Sequence, residues 1–569
     1  MKFLFLLLLA FTLNAENTIF NSKAIVHPEV GRNGMVVSQH YLATNAGHSI
    51  LEEGGNAYDA AIAVAFALAV VLPRAGNIGG GGFMVMFDEA SQESYSIDYR
   101  ETAPEAATKD MFLNSDGSVN KKRATQGVLS IGVPGTVYGM WEVHKKFGSL
   151  PWSKLLAPAI ELAEDGFLIS PFMADALNKR YKKLGKLENF KKIFYQNYPV
   201  QMHQRLKQPN LAETLKTISK KGVKGVYEGE IATMIDAYMI ENGGLITKKD
   251  LKNYRPIWRD TLHGSFNEYE IVTMGPPSSG GVHIIQMLNI LENYDLVTMG
   301  HNSPTYAALL TESMKYAYAD RSKYLGDPDF YKVPVEELTS KEYATAINQK
   351  LRLFEFMIPS PLPSSSIEPG EYMRKESEET THYSIADQYG NIISNTYTLN
   401  SAFGSGVTIE GTGILMNNEM DDFSASPGTP NQFGLLGGEA NKIVPEKRPL
   451  SSMTPTIVLK DGQPYFATGS PGGSRIITSV LQSILNIVEF EFEVSDAILA
   501  PRIHHQWYPD VLQLEKSYNS QHAEALTNKG YEIMKINPAT ALQIVMMKNN
   551  YYYGFGDTRR QDSLAIGVN

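Results

Sequence analysis

A threonine hydroxyl is a poor nucleophile unless a base sits beside it. One position in this chain can supply that base itself. Thr380 opens the run Thr380-Thr381-His382-Tyr383-Ser384-Ile385. It follows a Pro/Ser-rich stretch, Pro359 to Ser366, and the polar run Arg374-Lys375-Glu376-Ser377-Glu378-Glu379. Pro/Ser-rich sequence has little to bury and reads as a mobile linker, the kind of segment at which chains are cut. A break between Glu379 and Thr380 would leave Thr380 with a free α-amine. Such amines titrate at about 8, so a neutral fraction is available at neutral pH to take the hydroxyl proton. The β-methyl restricts χ1 and helps hold the hydroxyl in one orientation. Taken alone, a Thr-Thr pair is ordinary strand sequence.

Two further clusters could serve such a nucleophile. Gly469-Ser470-Pro471-Gly472-Gly473-Ser474 lies between a strand-like run, Pro464 to Thr468, and a segment whose apolar residues Ile476, Ile477, Val480, Leu481, Ile484, Leu485 and Val488 recur at helical spacing. Glycines at a helix N-terminus expose backbone N–H groups at the positive end of the dipole. They suit an anion or a developing oxyanion, or else a close helix–sheet contact. Asn417-Asn418-Glu419-Met420-Asp421-Asp422-Phe423 clusters carboxylates and amides that can hold an ammonium group, bind a metal or form a polar turn. The metal reading is poor, because no histidine has partner spacing with the cluster. His504-His505 is the only adjacent histidine pair. Neighbours on a strand point apart, so this pair is assigned to structure.

The elements that must position these groups are legible. His382 to Ala386 reads as a strand, Asp387 to Asn391 as a turn and Ile392 to Leu399 as the return strand, so the linker runs straight into a hairpin. Ala60 to Leu72 is a 13-residue apolar run that reads as a buried helix ended by Pro73. Gly79–Gly82 leads into Phe83-Met84-Val85-Met86-Phe87. It lacks the spacing of a phosphate-binding loop and reads as a tight approach to a buried strand. Leu155 to Leu168 has helical spacing, and Asn267 to Met274 reads as a strand before the turn Gly275 to Gly281. The basic stretch Lys179 to Lys192 reads as a solvated helix face.

Composition bounds the rest. The 569 residues carry a formal charge of −10, with 43% hydrophobic side chains and no cysteine. That is globular composition with room for more than one compact unit. An acidic total argues against nucleic-acid binding. The lack of cysteine removes disulfides, thiolate nucleophiles and iron–sulfur clusters. Lys2, the apolar run Phe3 to Leu13 and Leu13-Asn14-Ala15 read as a secretory signal spanning residues 1–15. The run is shorter than the roughly 20 residues of a spanning helix. The expected location is the periplasm or the medium.

With these motifs in place, the sequence resembles the γ-glutamyltranspeptidases, a family of N-terminal-nucleophile hydrolases. The resemblance runs through Leu51 to Ala57, Gly76 to Phe83, Gly132 to Thr136, Thr380 to Ser384, Asn417 to Phe423, Lys447 to Met453 and Ser470 to Arg475. It implies an α+β fold, a four-layer αββα sandwich built jointly by a large chain, 16–379, and a small chain, 380–569, cut from one precursor and remaining as a heterodimer. It further implies that Thr380 attacks the γ-glutamyl carbonyl, that Thr398 hydrogen-bonds Thr380, and that the N–H groups of Gly472 and Gly473 hold the oxyanion. Arg100, Ser451 and Ser452 would take the α-carboxylate, a role a guanidinium suits because it bonds carboxylates bidentately. Asn400, Glu419 and Asp422 would take the α-ammonium. The donors implied are glutathione and glutamine, and the acceptors are water, amino acids or dipeptides, with no cofactor and no metal.

The chain departs from the family in two places. Phe433 stands where bacterial members with a lid loop usually carry tyrosine, so a lid that closes less tightly is expected. Asp557-Thr558-Arg559 replaces a usual Asp-Pro-Arg. Two other readings remain. A glutaryl-cephalosporin-type acylase would use the same nucleophile but needs no carboxylate for an ammonium. A non-catalytic periplasmic γ-glutamyl peptide-binding protein would need Arg100 and Asp422 but not Thr380, Thr398 and the glycine turn together.

Overall fold

The hairpin expected after the linker forms the middle of a seven-stranded antiparallel sheet. Its strands run in the order Leu564–Val568, Gly34–Ser38, Thr381–Asp387, Ile392–Thr398, Gly81–Asp88, Glu93–Asp98, Ile257–Arg259. The computed structural model describes residues 26–351, 360–367, 380–426 and 437–569. A second seven-stranded antiparallel sheet runs Glu29–Gly31, Tyr551–Gly556, Gln543–Lys548, Gln463–Thr468, Thr456–Lys460, Tyr269–Thr273, Leu262–Phe266. Each sheet takes strands from both sides of position 380, so neither stretch of chain builds a sheet alone.

The period-two pattern divides each strand between two layers. In the first sheet Val36, Met84, Met86, Tyr383, Ile385, Ile393 and Tyr397 pack into one core with the helices Tyr41–Glu52, Ala57–Val71 and Trp152–Asp165. The alternate residues Met35, Val37, Phe83, Val85 and Phe87 join a second core with residues of the other sheet and of the helices Gly280–Leu291, Pro304–Tyr324 and Arg475–Val488. The result is helices, sheet, sheet, helices: the α+β sandwich the resemblance implies. Ala57–Val71 is buried along its whole length, as an all-round apolar helix must be, and starts at a capping box of Asn56 and Asp59.

The hairpin turn is tied to this helix. Asp387 accepts from the N–H groups of Tyr389 (2.9 Å), Asn391 (3.1 Å) and Ala57 (2.7 Å). The Gly79–Gly82 run has the structural role read for it. A Cβ at Gly80 would lie 2.0 Å from the Thr398 carbonyl oxygen, and one at Gly82 would lie 2.4 Å from that of Thr396. Only glycine lets this strand reach its partner.

The Pro/Ser-rich segment differs from its expectation. Residues 360–367 are a docked strap rather than a mobile linker. Ser364 is fully buried; its hydroxyl donates to the Trp507 carbonyl (2.7 Å) and its N–H to Asp510 Oδ2 (2.8 Å). The Trp507 indole N–H donates to the Ser364 carbonyl (2.9 Å), and Lys315 Nζ to that of Leu362 (2.9 Å). Composition registers average polarity and not a single serine whose hydroxyl and backbone are both satisfied. Residues 1–15, read above as a secretory signal, Glu379 and Phe433 lie outside the described residues.

Candidate functional site

Thr380 immediately precedes the strand Thr381–Asp387, and the register Thr381↔Tyr397 sets it against Thr398 at the end of the return strand. Thr380 is 6% exposed, and its Oγ1 lies 3.4 Å from Thr398 Oγ1. The Thr398 hydroxyl oxygen accepts from the Asn400 N–H (2.8 Å). Asn400 has a positive φ of 73°, a conformation asparagine tolerates, and its side-chain amide donates to the Asn418 carbonyl (2.9 Å).

The glycine turn approaches from the other sheet. Gly472 and Gly473 both have positive φ, 135° and 57°, just before the helix Arg475–Val488. Neither N–H donates a hydrogen bond among the described residues. The backbone donors are therefore available to an acceptor in the cleft that Gly473 lines with Thr380 and Thr398. The turn is seated on His382: a Cβ at Gly469 would lie 2.3 Å from that ring. The ring is bonded to Thr396 (2.8 Å) and Ser384 (3.0 Å), and burial pushes its pKa down to about 3, so it is neutral.

The far end of the cleft holds the charges. Arg100 is 1% exposed, and its guanidinium forks between Glu419 and Asp422. It also donates to the backbone oxygens of Pro449 (3.3 Å) and Leu450 (3.4 Å). Burial alone would favour a neutral Arg100. The surrounding carboxylates of Glu419, Asp422 and Glu101 outweigh it and hold the guanidinium charged. Burial in turn raises the pKa of Glu419 and Asp422, against the opposing pull of Arg100. Glu101, 3.8 Å from Arg100 with no hydrogen-bond partner on either carboxylate oxygen, is pushed up to about 7 by burial.

Asn417 locks this end in place. Its side chain accepts from the N–H groups of Gly132 (2.9 Å) and Glu419 (3.0 Å) and donates to the carbonyls of Gly79 (2.9 Å) and Gly132 (2.8 Å). Three motifs far apart in sequence thus meet at one amide. Ser451 and Ser452 are held by the turn Gly275 to Gly281, where the Ser279 N–H and hydroxyl donate to the Ser451 carbonyl at 2.9 and 2.8 Å.

One cleft brings together Thr380, Thr398, Asn400, Glu419, Asp422, Arg100, Ser451, Ser452 and Gly473, and Gly472 lies beside it. Sequence reasoning missed Arg321, Met453 and Ile476, which line the same cleft. Arg321 sits in Ala319-Asp320-Arg321-Ser322-Lys323, which reads as an ordinary solvated helix end; no local signal marks it. The His504-His505 pair is structural as assigned, with His504 bonded to Thr478 (2.9 Å) and His505 paired with Asp510 (3.2 Å). Arg559 binds Asp557 (3.2 Å), Glu515 (2.8 Å) and the carbonyls of Ile498, Leu499 and Ala500, so Thr558 leaves a well-anchored arginine. Among the described residues no group of three His, Asp or Glu side chains could hold a metal, and no helix is long and apolar enough to cross a membrane.

A family model described as gamma-glutamyltranspeptidase matches residues 43–567. The chain is 46% identical over 547 residues to the glutathione hydrolase proenzyme of Escherichia coli K12, covering 95% of this chain and 93% of that relative. It is 43% identical to the crystal structure of Helicobacter pylori gamma-glutamyltranspeptidase, with a TM-score of 0.57, covering 62% of this chain and 97% of that one. It superposes on the cephalosporin acylase of Bacillus halodurans with a TM-score of 0.85 at 26% identity, covering 98% of this chain and 99% of that one.

Proposed function

Because the chain belongs to the gamma-glutamyltranspeptidase family, we propose that it cuts itself between Glu379 and Thr380 and then cleaves γ-glutamyl amides, glutathione first among them. The observation that carries this reading is the Thr380–Thr398 hydroxyl pair, 3.4 Å apart, in one cleft with Arg100, Glu419, Asp422 and Gly473.

The glutamyl head carries one negative and one positive charge. Its α-carboxylate takes the Arg100 guanidinium with the Ser451 and Ser452 hydroxyls, and its α-ammonium takes Glu419, Asp422 and Asn400. The paired charges are already fixed in a buried place, where they are weakly screened. The γ-carbonyl then lies toward Thr380. The α-amine released by the cut takes the Thr380 proton as Oγ1 attacks, and Thr398 orients the hydroxyl. The N–H groups of Gly472 and Gly473 stabilise the oxyanion, each such donor typically worth about 3 kcal/mol. The C–N bond breaks, the amine leaves with the proton, and water or an acceptor amine resolves the ester. Export after loss of residues 1–15, the 16–379/380–569 heterodimer and a lid carrying Phe433 belong to the same proposal.

An acylase for glutaryl side chains is less well supported, since its acyl group offers no cation to two buried carboxylates. A binding protein without turnover would leave the Thr380–Thr398 pair and the unbonded glycine N–H groups without purpose. The test is a denaturing gel of the purified protein with N-terminal sequencing of the smaller band. A chain starting at Thr380 together with γ-glutamyl turnover is expected. A single uncut chain without turnover would remove Thr380 as nucleophile.

A further inference from the structure

Arg321 is a buried cation that neither the nucleophile nor Arg100 accounts for. It is 4% exposed, and among the described residues no carboxylate lies within 4.0 Å of its guanidinium. Such a group is costly to bury, so its retention needs a reason. Its Nε donates to Ser279 Oγ (2.9 Å) and its Nη2 to Ser452 Oγ (3.1 Å). Both it and Ser452 line the cleft.

We propose that Arg321 is the positioning and charge-balancing residue that makes the cleft select acyl groups bearing an α-carboxylate. Two observations carry this. The first is proton direction. A hydroxyl has one hydrogen. Ser279 spends its hydrogen on the Ser451 carbonyl and accepts from Arg321. Ser452 accepts from Arg321, and its own O–H has no acceptor among the described residues. Ser451 Oγ likewise accepts from the Met453 N–H (3.0 Å). Both serines of the cleft are thereby presented as donors, the role an anion requires.

The second is charge. Arg100 is already divided between Glu419 and Asp422. With those three alone the cleft would carry a net negative charge and would favour a cation. Among the side chains that line the cleft, Arg321 makes two guanidiniums against the two carboxylates of Glu419 and Asp422, the complement of a zwitterion; Glu101, 3.8 Å from Arg100, is not part of that lining. This inference rests on the γ-glutamyl reading and names what enforces the carboxylate half of it.

The test uses hydrolysis of γ-glutamyl-p-nitroanilide by the matured protein. L-Glutamate, glutarate, which lacks the ammonium, and 4-aminobutyrate, which lacks the α-carboxylate, serve as competitive inhibitors. In Arg321→Met, the KM for the anilide and the inhibition constants of glutamate and glutarate are expected to rise about 10- to 100-fold. That of 4-aminobutyrate and kcat should stay within about threefold, because remote binding lost equally in ground and transition states changes KM alone. Arg321→Lys should restore part of the loss. Should Arg321→Met fail to mature, Arg321→Lys and Ser279→Ala, which keep the cation but loosen its fork, should each raise the glutamate constant about three- to tenfold and leave 4-aminobutyrate unchanged. Equal weakening of all three inhibitors, or none, overturns the inference. Absence of anilide hydrolysis by the unaltered protein would instead overturn the γ-glutamyl reading itself.

Discussion

The two ends of the cleft are built on opposite principles. At the Thr380 end, a hydroxyl pair 3.4 Å apart faces a turn in which, among the described residues, the Gly472 and Gly473 N–H groups donate no hydrogen bond. At the Arg100 end, two guanidiniums are buried with the carboxylates of Glu101 and Glu419, and the half-buried Asp422 completes the group. The first end comes from local geometry, one hairpin and one turn. The second is assembled from residues some three hundred positions apart, held by Asn417 and by the turn around Ser279. On the proposed reading, recognition is placed where low dielectric magnifies charge. The reacting end keeps neutral donors that act only as charge develops.

That contrast can be broken at either end. Thr380→Ala should have the largest effect: an intact chain on a gel and a loss of turnover on the order of 10⁴-fold or more, as for removal of other nucleophiles. A variant that still cuts and turns over would end the role of Thr380. Next comes Asp422→Ala, which leaves Arg100 half-unpaired. kcat/KM for the donor should fall about 10²- to 10³-fold, mainly through KM, and unfolding stability should fall by about 3 kcal/mol. A pure kcat effect would contradict a binding role.

Gly472→Ala acts at the other end. Its φ of 135° resists a side chain, and a Cβ would meet Thr540 Cγ2 at 2.5 Å. Displacing the turn should lower kcat about 10- to 100-fold with KM nearly unchanged. Steady-state kinetics that put the loss in KM would move the turn out of the oxyanion role.

The smallest effect concerns pH. Glu101 is raised from the ordinary carboxylate range to about 7 by burial, with Arg100 opposing and Asp422 and Asp98 reinforcing. Its ionisation above pH 7 adds negative charge beside Arg100, so donor KM should rise about threefold there. Because the folded state holds the extra proton, the stability it contributes is present at low pH and lost as pH rises from the ordinary carboxylate range through about 7. Glu101→Gln should flatten both profiles. Wild-type pH dependence in the variant would assign the change elsewhere.

Much of the reacting end was legible beforehand, because its signals are local. A strand, a tight turn and a return strand fix the Thr380–Thr398 pairing by register, and glycines before a helical repeat announce a helix N-terminus. At the charged end the Asn417–Phe423 cluster was legible as one of several possibilities, but its meeting with Arg100 only through family resemblance. Nothing near Arg100 says that it meets Glu419, 319 positions away. Arg321 escaped both routes, since an arginine near a helix end usually faces water. The docked strap 360–367 escaped because burial of Ser364 depends on Trp507, 143 positions on.

The sequence by itself determined the nucleophile candidate, the hairpin that presents it, the glycine turn and the all-buried helix Ala57–Val71, because each follows from backbone preference and periodicity over a few residues. Only the tertiary structure decided which charges share a cavity, which serine hydroxyls point outward as donors and which part of a polar linker is fastened down. Those depend on dielectric and on hydrogen-bond partners brought from elsewhere in the chain, and neither is a property of any short stretch of sequence.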